Sequence, residues 1–379
     1  MIAGGVEIST LSRRNLNLRV SRREGPGWLV KQADPLRTGG ARTLARELEL
    51  YEVFARESVA EPLRELIPRA RLLRRDPPLF AVEWKAGARS PWRVYRDSPA
   101  ERFPCTPAAD LGAALGLLHA TFDGRARDAG SGLSRLPRRP ADFLSVHLPA
   151  PHELRRMSAA QVEISRLIQS EPAIGAGLDR ARSDWRPQTL LHGDVRSANL
   201  LVLPPSTERD GGVVLIDWEL AKWGDPAWDL GCAMADLVHF WVRGMPRDAA
   251  LPPERRAAQA RVPLSAIQPA FAALWSAYRS APGSAASAER EGDLLLRAVR
   301  CSAARLIQAA WQRCSGVASV AVSERSLLQI AANVLSDPAG AGRTLYSLAA
   351  SSSGTSSSAE KRGERRGEKR GEKRGESPA

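Results

Sequence analysis

Cysteine is scarce in this chain: four in 379 residues, at Cys105, Cys232, Cys301 and Cys314. They show neither metal-ligand spacing nor a dense disulfide framework, so reduced thiols in a cytoplasmic protein are the expectation. Long apolar runs are missing as well. The stretch MIAGGVEISTLSRR at the start has no uninterrupted apolar segment of the secretory kind. No other run is long enough to cross a bilayer, so no membrane association is expected. Aromatic residues make up only 6%. They do not interleave with arginine in a groove-like cluster, which argues against nucleic acid as the partner.

What the chain has in excess is positive charge, a formal +13. That sign favours anionic partners without choosing among them. From Ser351 the sequence reads SSSGTSSSAE and then the tetrads KRGE, RRGE, KRGE and KRGE. Eight Lys/Arg against five Glu give this tail +3, which leaves the remainder at +10. The tail has no apolar side chains with which to build a core, so disorder is expected over residues 350–379. It could tether an anionic partner or serve only as a solvated extension.

Hydrophobic periodicity organises the rest. Leu16, Leu18 and Val20 alternate as on a half-buried strand, and WLVKQ follows the turn EGPG as a second one. ARTLARELELYEVF places Leu44, Leu48 and Tyr51 at helical spacing, and PLFAVEW reads as a buried strand. From about Pro91 the pattern turns helical: Asp110–Phe122, then Glu153–Gln169, then most of the chain after Asp229. Trp275, Tyr278, Leu306, Ile307 and Trp311 are candidate core residues. Two short apolar runs, NLLVL and VVLID, form a hairpin candidate within the helical part. The outline is an α+β, two-lobed architecture. Residues 1–87 form a strand-rich lobe with one helix, and residues 88–349 form a larger helical lobe.

Against this background LLHGDVRSANLLV stands out. Asp194 is followed five residues later by Asn199, and eighteen residues beyond comes Asp217 in VVLIDWE. Phosphoryl transfer needs such a set. One carboxylate orients or deprotonates the attacking hydroxyl, while an amide oxygen and a second carboxylate hold Mg²⁺ on the phosphates. The hairpin brings the distant residues to one mouth.

HGDVRSAN, IDWE and GDPAWDLG together resemble the aminoglycoside phosphotransferase and choline kinase group of the protein-kinase-like superfamily. The resemblance spans roughly residues 10–345 and is most specific over 190–231. It implies a two-lobed kinase-like fold and an ATP- and Mg²⁺-dependent kinase. By position, Asp194 matches the catalytic base, and Asn199 and Asp217 match the metal ligands. Arg196 falls where protein kinases place a Lys that neutralises the transferred phosphate; a plain loop charge is the alternative. His192 matches a brace of the catalytic loop, and Asp229 a group that hydrogen-bonds it. Glu219 is either a further metal contact or a surface carboxylate. Lys31 matches the strand lysine that grips the α/β-phosphates, with Glu47 as its ion-pair partner and Glu49 as the fallback. Val82, Glu83 and Trp84 match the hinge where backbone groups meet adenine. His119 is read as a packed core histidine.

The sequence departs from the kinase pattern where a glycine-rich loop would cover the phosphates. LSRRNLN contains no glycine, which leaves Ser12, Asn15 or backbone N–H groups to bind phosphate and GTP use open. Gly193 stands where an arginine would dock a phosphorylated activation loop, and only twelve positions separate Asp217 from Asp229. A regulated protein kinase is therefore not expected. The acceptor should sit in a pocket or groove of the helical lobe, built partly from Glu153–Gln169 and from helices after Asp229. A small-molecule hydroxyl is the leading acceptor: an antibiotic, an amino alcohol or a sugar. A precursor peptide of a natural-product pathway is the alternative, on the texture of DWELAKWGDPAWDLG. A pseudokinase binding module is the competing non-enzyme reading.

Overall fold

Alternating apolar residues, a turn and a second apolar run give antiparallel strands at the start of the chain. In the computed structural model these are β2 (Leu16–Arg22) and β3 (Gly27–Gln32), preceded by β1 (Val6–Thr10). With β4 (Ala70–Arg74) and β5 (Leu79–Trp84) they form one antiparallel sheet of order β1-β2-β3-β5-β4. The structure describes residues 6–11, 15–22, 27–34, 40–125, 133–205, 211–282 and 288–348. The turn residues Ser12, Arg13 and Arg14 and the tail 350–379 lie outside them.

The edge strands β1 and β4 are the ones the periodicity did not reveal. Ile8, Leu72 and Leu73 are exposed, so neither strand has the apolar-in, polar-out alternation that marks a half-buried strand. Helix α1 (Gly40–Arg56) joins β3 to β4 and buries Leu44, Leu48, Tyr51 and Phe54. A 17-residue helix is marginal alone. Each such side chain contributes roughly 1.5–3 kcal/mol on burial, so packing holds α1 in place.

The larger part is mainly helical: α2 (Pro91–Asp97), α3 (Thr106–Phe122), α4 (Pro151–Leu154), α5 (Ala159–Ser170) and α6 (Pro172–Ser183) come first. The single helix expected over 153–169 is two, because the Ser158 side chain caps α5 afresh by accepting from the Gln161 N–H. Four short strands follow: β6 (Thr189–Leu191), β7 (Leu200–Leu203), β8 (Gly212–Leu215) and β9 (Lys222–Gly224). β7 pairs with β8 as the expected hairpin, and β6 pairs with β9. The chain then runs through α7 (Pro226–Arg243), α8 (Pro253–Ala258), α9 (Leu264–Arg279), α10 (Ala288–Arg313), α11 (Val322–Ser336) and α12 (Pro338–Thr344).

Two helix pairs set the frame of the site. α3 lies so close to α9 that a Cβ on Gly112 would sit 2.1 Å from the Leu274 carbonyl oxygen. α7 meets α10 through Gly231, where a Cβ would come within 2.6 Å of the Cys301 Cβ. Tyr278, Leu306 and Ile307 are buried as expected, whereas Trp275 and Trp311 are only partly so. No helix among the described residues is long and apolar enough to cross a membrane.

Candidate active site

The apolar flanks of LLHGDVRSANLLV are strands β6 and β7, with Leu190, Leu191 and Leu200 buried. Between them the chain must turn while its backbone stays satisfied. Asp229, fully buried at the start of α7, does this: its Oδ2 accepts from the His192 N–H at 2.7 Å and its Oδ1 from the Gly193 N–H at 2.9 Å. Trp228 donates its indole N–H to the Gly193 oxygen at 3.1 Å. Gly193 has φ +82°, and a Cβ there would lie 2.4 Å from the Leu220 oxygen, so no other residue fits. His192 Nδ1 accepts the Asp194 N–H at 3.3 Å, which makes Nε2 the protonated nitrogen, donating to the Ile216 oxygen at 2.9 Å. That ring ties the loop to the residue before Asp217. His119 is buried, 3.1 Å from the Tyr278 hydroxyl and 3.4 Å from Asp229.

Asp194 is held from several sides. Asn199 donates its amide to the Asp194 carbonyl at 3.0 Å and to Oδ2 at 2.8 Å. Arg305 of α10 donates to Oδ1 at 2.8 Å. Arg196 Nε lies 3.0 Å from Oδ2 but off the hydrogen-bond axis, a Coulombic contact. Burial works against the Arg305 charge, and pairing with Asp194 outweighs it and raises the guanidinium pKa. Ile216 donates its N–H to the Asn199 oxygen at 3.0 Å, which fixes Asp217 beside Asn199. Asp217 itself takes a left-handed backbone, φ 66° and ψ 60°, a conformation that non-glycine residues adopt mostly where function holds them.

Across the cleft, Lys31 Nζ meets both oxygens of Glu47 at 2.6 and 2.7 Å and Asp217 Oδ1 at 2.8 Å. Lys31 and Glu47 are buried, while the Asp217 side chain is 32% exposed. Burial opposes the Lys31 charge, but its two carboxylate partners prevail and hold the ammonium above its usual range. Burial likewise opposes the Asp217 charge, and Lys31 overcomes it, so the carboxyl lies below its ordinary value. Glu49 takes no part in this cluster. Glu219 lies two residues past Asp217, in the turn Trp218–Leu220.

Val82, Glu83 and Trp84 lie inside β5, not in the connection after it. They pair with Leu29, Trp28 and Gly27 of β3, and the Glu83 N–H donates to the Arg69 oxygen at 2.8 Å. The Arg19 guanidinium stands over the Trp84 ring at 4.6 Å.

Beside Asp194 a cavity of about 530 Å³ opens, lined in part by Trp92, Arg196, Asp236, His239, Arg305 and Arg313. These residues come from α2, the loop between β6 and β7, α7 and α10. Nothing from 153–169 lines it: α5 packs on the chain that follows α10, where Ser158 donates to the Cys314 oxygen and Glu163 pairs with Arg325 of α11.

The model of the phosphotransferase enzyme family (APH) matches residues 7–268, more than half of the chain. The chain belongs to the phosphotransferase enzyme family. No curated protein matches it. Among solved structures, the Plasmodium vivax ethanolamine kinase is 12% identical with a TM-score of 0.53, over 86% of this chain and 82% of that one. The Cryptosporidium parvum choline kinase is 12% identical with a TM-score of 0.49, over 90% and 92%. The macrolide 2'-phosphotransferase MphH of Brachybacterium faecium is 16% identical with a TM-score of 0.43, over 89% and 94%. The fold is the two-lobed kinase-like fold, and the chain is an enzyme, a phosphotransferase.

Five of the residues around the phosphotransferase cavity escaped the sequence: Trp92, Asp236, His239, Arg305 and Arg313. The available signal was a charge amid the apolar residues of SAARLIQAAW and of AMADLVHF, since a buried charge demands a partner. Asp236 finds the Trp92 indole N–H at 2.9 Å, and burial lifts its carboxyl to about 6. Burial, aided by Arg313, Arg243 and Arg305, pulls His239 down to about 3 from an ordinary 6.5. The folded state thus resists a proton that the unfolded chain accepts between those values. Stability contributed by neutral His239 is complete above pH 6.5 and falls as the pH drops, by about 1.4 kcal/mol per unit. Urea unfolding at pH 7, 6 and 5 should show His239→Gln losing less stability than wild type by about that slope. Parallel losses would contradict the assignment.

Proposed function

We propose that this phosphotransferase moves the γ-phosphoryl group of ATP, bound with Mg²⁺, to a hydroxyl of a small molecule. The observation that carries the reading is the convergence of Asp194, Asn199 and Asp217 opposite the buried Lys31–Glu47 pair. Lys31 is the cation for the α/β-phosphates, and Glu47 holds its ammonium in place. Asp194 accepts the proton of the attacking hydroxyl, with Asn199 and Arg305 fixing the carboxylate. Arg196, free to swing from Asp194, neutralises charge on the moving phosphoryl group.

The residues present suit Mg²⁺. Asn199 spends its amide nitrogen on Asp194, and the opposite flip would set Oδ1 against two oxygens. Its Oδ1 is therefore the atom offered to a cation, beside the Asp217 carboxylate. Two hard oxygen donors fit an ion that keeps several waters and takes phosphate oxygens. Among the described residues no cluster of three or more His, Cys, Asp or Glu competes as a metal cage. Held by Asn199 and Asp217, such an ion would supply charge neutralisation on the phosphates. Val82 and Glu83 give their backbone to the sheet, so we assign the adenine contact to Trp84 and residues 85–87.

The test follows γ-labelled ATP with Mg²⁺ in an extract of the source organism, separated into small metabolites and peptides, with Asp194→Asn as control. Label is expected in the small-molecule fraction and absent with the variant. Label confined to peptides, or equal label with the variant, would contradict the proposal.

A further inference from the structure

The charged side chains in the wall of the cavity beside Asp194 are mostly arginines, paired on their outer sides with Asp194 and Glu324. The lining holds three arginines, Arg196, Arg305 and Arg313, against one carboxylate, Asp236. That carboxylate is already spent on a donor, the Trp92 indole N–H. Arg305 is buried, donates to Asp194 and Gln308, and shares the Asp194 carboxylate with Arg196. Arg313 anchors its Nε on Glu324 Oε1 at 2.5 Å. This single bond orients the guanidinium and leaves its two terminal nitrogens for a ligand. His239 is a neutral ring with Nε2 buried and unpartnered among the described residues. A second cavity of about 580 Å³ shares Trp92 and adds Arg93, Arg96, Arg243 and Arg261 to the wall, with no carboxylate in its lining. Arg93 and Arg96 share Asp97, whereas Arg243 has no ion pair among the described residues.

We infer that the acceptor is a small alcohol bearing a phosphate or carboxylate, which seats between Arg305 and Arg313 while its hydroxyl faces Asp194. The inference rests on the phosphotransfer reading above. A cationic acceptor would need carboxylates in the wall to offset its desolvation, and the lining offers guanidinium donors in their place. Arginine is also the side chain that best matches the paired oxygens of a carboxylate or phosphate. In the reaction the acceptor oxygen forms a bond to the γ-phosphorus. The bond from that phosphorus to the β–γ bridging oxygen breaks, ADP leaves, and the hydroxyl proton passes to Asp194. The anionic group of the acceptor stays intact and serves only to hold it.

The test uses the full chain with Mg²⁺ and a non-hydrolysable ATP analogue filling the nucleotide site. Glycerol 3-phosphate and glycerate are titrated calorimetrically beside glycerol and ethanolamine, and the same four compounds are offered with ATP. The two anions should bind at least tenfold more tightly than the other two. Arg313→Gln should remove at least tenfold of that preference, and Arg313→Lys should restore part of it. Arg313 is 43% exposed but its partner Glu324 is buried, so a thermal melt of each variant beside the wild type, and the Arg313→Lys variant that keeps the charge, separate loss of the anion contact from loss of the fold. Anion binding that depends on Arg313, with no transfer to any hydroxyl, retires the phosphotransfer reading and leaves the anion site standing. Equal or tighter binding of glycerol or ethanolamine overturns the inference, as does an anion preference that survives Arg313→Gln.

Discussion

Asp194→Asn should lower kcat by roughly 10³-fold while leaving the affinity for Mg·ATP close to that of the wild type. A positioned general base contributes about 10²–10⁴ in rate. The replacement removes that base together with the charge that pairs with the buried Arg305, so a lower melting temperature should accompany the loss of rate. Asn keeps an oxygen for the Arg305 donor, and the loop is held by Asp229, Trp228 and His192 independently of the lost charge. Steady-state kinetics with the identified acceptor, beside a thermal melt, checks this. A loss of less than tenfold, or a collapse of nucleotide affinity, would remove Asp194 from the role of base.

Lys31→Met should be costly in a different way. It leaves Glu47, fully buried, without its cation. Breaking a buried pair from one side costs about 3–5 kcal/mol, since the remaining charge is uncompensated. The expected variant is less stable by that order and binds ATP weakly. Lys31→Met/Glu47→Leu should regain most of the stability, because an apolar pair can replace a buried ion pair. Asp217, a third exposed, can still reach water. The double variant should nevertheless stay inactive. Denaturant unfolding of wild type, both singles and the double gives the coupling energy. Additive effects would mean that the pair is not the unit the structure displays.

The residues that meet in the cleft were legible where the chain keeps them at fixed, local spacing. Asp194 and Asn199 are five apart on one loop, Asp217 returns through a hairpin, and Lys31 and Glu47 sit on a strand and on the helix that follows. Arg305 was not legible. It reaches Asp194 across 111 residues, and that contact exists only because α10 packs on α7 through Gly231. The cavity wall escaped for the same reason: α2, α7 and α10 assemble it, and no short motif records their meeting. The strands β1 and β4 were hidden by exposed edges, where hydrophobic period carries little signal. At Val82–Trp84 the sequence does not show where β5 ends, because a strand's end depends on its neighbours. β3 continues to pair as far as Trp84, so the ladder engages Val82 and Glu83, and Trp84 stands at its end.

The most direct measurement of the central claim is nucleotide affinity with and without Mg²⁺, for wild type and Asp217→Asn. If Asp217 and Asn199 hold a cation on the phosphates, Mg²⁺ should tighten ATP binding to the wild type by at least about tenfold, and Asp217→Asn should abolish most of that gain. Mg²⁺-independent binding by the wild type, or a full Mg²⁺ effect in the variant, would contradict the account.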